Sequence, residues 1–207
     1  MTIDAENLLD SIMESFARIQ HIKPSDIPDI DLYMDQVTTF MDEKLKPSTR
    51  YPGEDKILTK TMINNYTKND LMPPPVKKKY SKEHVLLLIF IYYFKGVLSI
   101  NDIHAVLKPL TDKYFHSEGD FNLEDVYNEV FNMEQAEVDS LMEDVRKKYA
   151  EACGTFQEAP EEDRDFLQKF SFICILGYDV YVKRLLIEKL IDELDLHGGE
   201  GKGKKEK

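Results

Sequence analysis

The ten residues Val85-Leu-Leu-Leu-Ile-Phe-Ile-Tyr-Tyr-Phe94 leave no polar break on any helical face, so a helix built from them has no side to give to water. It has to be surrounded. At ten residues the run is too short to cross a bilayer, which takes about 20 apolar residues, so it is expected to form the centre of a core. Ser81 stands where a helix cap belongs and Gly96 where such a helix ends. Within 207 residues, 42% of them hydrophobic and 32% charged, there is material for one good core or two small ones.

The remaining periodicities are helical, and an all-α fold is expected. Ala5, Leu8, Leu9, Ile12, Met13, Phe16 and Ile19 recur at three- and four-residue steps, the pattern of an amphipathic helix over 5–19 that Pro24 and Pro28 close off. Asp31 is a candidate cap for a helix at about 32–45, and 46–56, with two prolines and a glycine, has the composition of a loop. Thr59 can cap a short helix to about Lys68 that Asn69-Asp70 closes in a left-handed conformation. Pro73, Pro74 and Pro75 then fix an extended strut. Ser99-Ile-Asn-Asp102 opens a further helix expected to stop near Pro109. A polar stretch at 116–120 marks a soft boundary, followed by long helices from Leu123 to Gly154 and over about 162–196. The expected organisation is an N-terminal amphipathic helix at 1–23, a first domain at 24–112, a helical dimerisation or sensing region at 120–197 and a disordered tail at 198–207.

Charge is unevenly spread. The net charge is −12, which repels phosphate, yet residues 46–82 hold nine basic groups against three acidic ones. A local cationic patch can act through a Debye length of about 8 Å despite distant acids. The opening Met1-Thr-Ile-Asp-Ala-Glu-Asn7 lacks the basic and apolar regions of a secretory signal, so a cytoplasmic protein without membrane association is expected. Cys153 and Cys174 fall in different segments without CxxC spacing, giving no basis for a disulfide frame or a zinc site. The five histidines are scattered without HExxH or ExxH, and there is no GxSxG or glycine-rich phosphate loop. Asp120-Phe-Asn-Leu-Glu124 resembles a calcium loop only at its start, since Asp125 and Phe131 stand where glycine and glutamate are required. Asn122 is better placed to cap the next helix. Neither an enzyme nor a cofactor is expected.

From Leu58 to Val85, a short capped helix leads into Leu71-Met-Pro-Pro-Pro75, a lysine cluster, and Tyr80-Ser81-Lys82-Glu83 at the mouth of the apolar helix, with Ile63 at the short helix's inward position. This order resembles the DNA-binding domain of MerR-type regulators over about 31–110, in which a recognition helix runs into a Leu-Leu-Pro-Pro-Pro strut, a basic wing and a Tyr-Ser helix start. Through Met62-Ile-Asn-Asn-Tyr66 and Pro73-Pro-Pro-Val-Lys-Lys78 the chain also resembles an uncharacterised bacterial family, the domain of unknown function DUF1836. The resemblance implies a MerR-like winged helix-turn-helix with a short or vestigial wing. Lys60, Thr61, Asn64 and Asn65 would then face the groove, while Tyr66, Lys68, Lys77, Lys78, Lys79 and Tyr80 would hold the DNA backbone. Three departures stand out: Asn64-Asn65-Tyr66 replaces the usual Arg-Tyr-Tyr, the wing is shorter, and the turn between the two helices has become the loop 46–56.

What this implies is a transcription regulator that binds double-stranded DNA as a homodimer. A small-molecule effector is unidentified: Tyr92, Tyr93, Phe94, Tyr114 and Phe115, or Phe170 and Phe172, could line a pocket, but plain packing accounts for such rings more often. Metal-sensing relatives use cysteines near the fifth helix, and this chain has none before Cys153. The rival expectation is a non-enzymatic interaction module whose lysines dock an acidic partner.

Overall fold

The computed structural model describes residues 22–51 and 57–198, together with Leu9, Ser11, Met13 and Glu14. Most of the helix expected over 5–19, the middle of the 46–56 loop and the tail beyond Gly198 lie outside these residues. The described chain is mostly helical, with six α-helices and one two-stranded sheet. In chain order they are β1 (Leu32–Tyr33), α1 (Met34–Leu45), α2 (Lys60–Lys68), β2 (Lys79–Tyr80), α3 (Lys82–Phe94), α4 (Ile100–Tyr114), α5 (Leu123–Cys153) and α6 (Glu161–Gly198). Among the described residues no helix is long and apolar enough to cross a membrane. Two compact units result, one of residues 20–131 with 186–207, the other of residues 1–19 with 132–185.

In the first unit α3 is central, as its composition requires. Every residue from His84 to Ile91 is buried, eight in a row. Around it collect Val37, Met41 and Leu45 of α1, Ile63 and Tyr66 of α2, Ile103 and Leu107 of α4, and Leu123, Tyr127 and Phe131 of α5. The sheet is minimal: Leu32 pairs with Tyr80 and Tyr33 with Lys79, antiparallel. This pairing alters the start of α1. Asp31 does not cap it, because Leu32 and Tyr33 are extended to meet β2; Tyr33 is the N-cap, and its backbone N–H donates to the Gln36 side chain at 2.8 Å.

One other helix boundary departs from expectation. α4 runs through Pro109 to Tyr114, because the turn beyond the proline is held by burial of Thr111 and by Leu110 and Tyr114 packed on the core. Loss of one backbone bond at a proline is tolerated when packing supplies the difference. Ser81 does stand at the cap of α3, but its hydroxyl bonds the His84 ring at Nδ1 (2.8 Å), and that same nitrogen accepts from the Ser81 backbone N–H at 3.0 Å. The boxes at Ser99 with Asp102 and at Asn122 with Asp125 form as their sequences predict.

The polar stretch at 116–120 forms a bend, yet apolar packing continues across it, since Leu123, Tyr127 and Phe131 belong to the first core. Tyr127 ties the two ends of this unit together by donating from its buried hydroxyl to the Ile22 carbonyl at 2.6 Å. In the second unit, Val145, Tyr149 and Ala152 of α5 pack with Phe172, Ile175 and Leu176 of α6, beside an ion pair of Lys148 with Asp144 and Asp179.

Replacing Tyr127 by Phe leaves the Ile22 carbonyl without that partner while keeping the ring, so chemical denaturation should register a loss of about 1–3 kcal/mol. An unchanged midpoint would mean the bond contributes nothing to closing the unit.

Candidate nucleic-acid interface

α2 is held at both ends by buried pairs, Ile57 and Leu58 before it, Leu71 and Met72 after it. Its first turn is capped by Thr59, whose hydroxyl accepts from the Met62 N–H at 3.2 Å. Its last turn closes through Asp70 at φ 59°, with Asp70 N–H donating to the Thr67 carbonyl at 3.2 Å and Leu71 N–H to the Tyr66 carbonyl at 2.9 Å. Those anchors fix the helix's rotation. Ile63 and Tyr66 point into the core, which leaves Lys60, Thr61, Asn64, Asn65 and Lys68 on one exposed face at i, i+1, i+4, i+5 and i+8. The side chains of Asn64 and Asn65 make no hydrogen bond among the described residues.

Beyond the proline strut, Val76 and Lys79 are bridged, and the Lys79 N–H donates to the Val76 carbonyl at 2.9 Å. Lys77 and Lys78 occupy the two corners of this turn at φ 51° and 65°. Both positive angles define a tight hairpin turn usually given to Asn-Gly, because a side chain in the left-handed region costs roughly 1–2 kcal/mol. Here two lysines carry that cost and extend into solvent.

The hairpin and α2 share a neighbour. β2 pairs with β1, which puts the Lys79 ammonium over the Tyr33 ring at 5.3 Å from its centroid. Two residues further on, Asp35 forms an ion pair with Lys60 at the start of α2. The segment Tyr33–Asp35 thus draws the base of the lysine turn and the N-terminus of α2 to one edge. That edge is less basic than the sequence suggested. Of the nine cations between 46 and 82, Lys46 pairs with Asp42, Lys60 with Asp35, and Lys82 with Asp29 and Glu124. Lys68, Lys77 and Lys78 make no ion pair among the described residues.

Two of the ten sequence-nominated residues are placed elsewhere. Tyr66 and Tyr80 are buried core residues, at 6% and 3% exposure, and burial raises both phenols above their ordinary range. They cannot lie along a phosphate backbone; their rings build the floor beneath α2 and the hairpin. Tyr33 and Asp35 were missed: a two-residue strand has no period to read, and the pairing of Asp35 with Lys60 is long-range, with no local signal. The rings of Tyr92, Tyr93, Phe94, Tyr114 and Phe115 pack against the core. Among the described residues no group of three or more histidines, cysteines or carboxylates is placed to hold a metal.

His84 fastens the base of the hairpin to α3. It is buried, and its ring meets Tyr80, Phe115 and His116 edge-on at centroid distances of 5.5, 4.9 and 6.4 Å. Burial pushes its pKa down to about 4; the Pro74 carbonyl opposes this, His116 adds to it, and the Pro73 carbonyl and Asp31 oppose it. Nε2 reaches neither proline carbonyl in hydrogen-bond geometry.

The model of a family described as a domain of unknown function (DUF1836) matches residues 22–130, just over half of the chain. Those limits fall within two residues of the compact segment 20–131. No curated protein and no solved structure matches.

Because the unfolded chain binds a proton at His84 near pH 6.5 and the folded chain near 4, the stability that the neutral ring supplies is complete above pH 6.5 and falls as the pH drops towards 4. The loss is about 3 kcal/mol. Urea denaturation at pH 7 and pH 4.5 should give a smaller difference for His84→Gln than for the parent, with carboxylate effects common to both. Equal differences would mean that His84 is not the acid-sensitive group.

Proposed function

The chain belongs to the family of that domain of unknown function, and we propose that it binds double-stranded DNA as a regulator, through a MerR-like winged helix-turn-helix with a miniature wing. α1 and α2 are the helix pair, α2 is the reading helix and the 76–79 turn is the wing. Thr61, Asn64 and Asn65 project towards base edges, where the two amides offer the paired donor and acceptor that suit adenine. Lys60 at the start of α2 accompanies them once phosphate displaces Asp35 from its ammonium. Lys68, Lys77, Lys78 and Lys79 contact phosphates and set the register.

The observation that carries this reading is the pair of lysines in left-handed conformations at the hairpin tip. Asn-Gly would relieve the backbone cost at no loss of packing, since both side chains are exposed. Strain retained at an exposed position points to a task for the side chains, and two adjacent cations beside a polar helix face suit a phosphate backbone. The acids that the fold brings to Lys46, Lys60 and Lys82 leave only a few cations to displace counterions, so binding should be modest and sensitive to salt.

The double variant Lys77→Asn with Lys78→Gly separates the two effects. It should raise the melting temperature by relieving two strained residues, and in fluorescence anisotropy with random duplex it should bind more weakly and flatten the log–log dependence on salt by about 2. A more stable variant with unaltered DNA affinity would refute the wing assignment. A parent protein that binds no duplex at low salt would favour an interaction module with an acidic protein partner instead. Asn64→Ala should relax preference at one base pair, at a cost of about 1–3 kcal/mol in discrimination, while leaving random-duplex affinity unchanged. Equal loss on all sequences would remove Asn64 from base reading.

A further inference from the structure

One edge of α6 is covered by α5: Phe172, Ile175 and Leu176 face Val145, Tyr149 and Ala152. Its opposite edge is apolar and bare. Phe166 (67% exposed), Phe170, Ile173 (66%), Gly177 and Val180 follow one another at steps of four, three, four and three, with Tyr181 beside the last. That is a repeat of 3.5 residues, the spacing that keeps one seam of a helix against a second helix. The five seam positions are uncharged; Lys169 flanks them, paired with Asp165, and Asp179 turns to Lys148 of α5.

Gly177 lies at the middle of this seam with open space above it. A side chain added there would meet nothing within 4 Å, so no neighbour in this chain requires a glycine. In a helix interior it costs about 1 kcal/mol relative to Ala, a cost that a close approach by another helix would explain. Charge gives the direction. The helix opens on Glu161, Glu162, Asp163 and Asp165, and beyond the bare seam stand Lys183 and Arg184.

We propose that two copies of this chain pair through the 166–181 face of α6, antiparallel about a two-fold axis close to Ile173. In that register Phe170 of each copy sits over Gly177 of the other, Phe166 meets Tyr181, and the acidic first turn lies beside Lys183 and Arg184 of the second copy. A parallel arrangement does the reverse: it sets acid against acid, ring against ring at Phe170, and glycine against glycine over a void. The five large side chains leave on the order of 500 Å² uncovered per copy, so pairing removes roughly 1,000 Å² in all, the level at which specific interfaces begin. The pairing does not depend on DNA binding and is tested without it.

The test uses the full chain with Cys153→Ser and Cys174→Ser, to which either Ile173→Cys or Phe166→Cys is added, and diamide as oxidant. About the axis, the two copies of position 173 are offset by about one residue, or 1.5 Å along the helices, within reach of a disulfide. The two copies of position 166 are about 15 residues apart along the axis, roughly 22 Å, and out of reach. The expected result is a covalent dimer from Ile173→Cys and monomer from Phe166→Cys. Equal cross-linking of both would overturn the antiparallel arrangement, and cross-linking of neither would overturn the pairing. Since Ile173 touches little in its own chain, Ile173→Asp should keep its helical circular dichroism and sediment as a monomer at concentrations where the parent is a dimer. A parent that sediments as a monomer at tens of micromolar contradicts the proposal outright.

Discussion

Burial of α3 on every side is the constraint from which the rest follows. Eight consecutive residues, His84 to Ile91, are withdrawn from water, more than any other described helix of its unit buries, and apolar burial stabilises by about 25 cal/mol per Å². Each neighbour must turn an apolar edge towards it and therefore a polar edge outward. For α2 this leaves almost no freedom. With Ile63 and Tyr66 committed to the core and buried pairs at both ends, Asn64 and Asn65 have only the solvent side to occupy.

Local chemistry was legible wherever one residue acts on its near neighbours. Thr59 caps α2, Asp70 closes it, Ser99 with Asp102 and Asn122 with Asp125 start their helices, and the all-round apolar run of α3 lies at the centre. Long-range pairing was not legible. Leu32 and Tyr33 meet Lys79 and Tyr80 across more than forty residues, and strands of two residues offer neither alternation nor length to detect. That pairing moved the cap of α1 from Asp31 to Tyr33 and placed Lys79 on an aromatic ring. Pro109 misled for a related reason: a proline's local penalty says nothing of the packing that outweighs it.

The candidate site divides along the same line. The outward face of α2 could be read from helical period alone. Tyr66 and Tyr80 could not be assigned, because a tyrosine at a helix or strand edge suits a phosphate contact and a core floor equally well until its neighbours are known. The charge of the island was misjudged for want of tertiary information: nine cations in 37 residues appeared almost free, but folding brings Asp29, Asp35, Asp42 and Glu124 to three of them. What survives is narrower and better defined, with Lys68 and the two strained lysines of the turn facing solvent beside exposed amides.

If the exposed face of α2 and the 76–79 turn together form a surface for duplex DNA, the residues that DNA touches must lie there. Amide chemical shifts recorded by heteronuclear NMR during titration with a short duplex at low salt should move for Lys60, Thr61, Asn64, Asn65, Lys68, Lys77 and Lys78, and stay fixed along the acidic length of α5. Shifts confined to α5 or α6, or none at a duplex excess, would contradict the account.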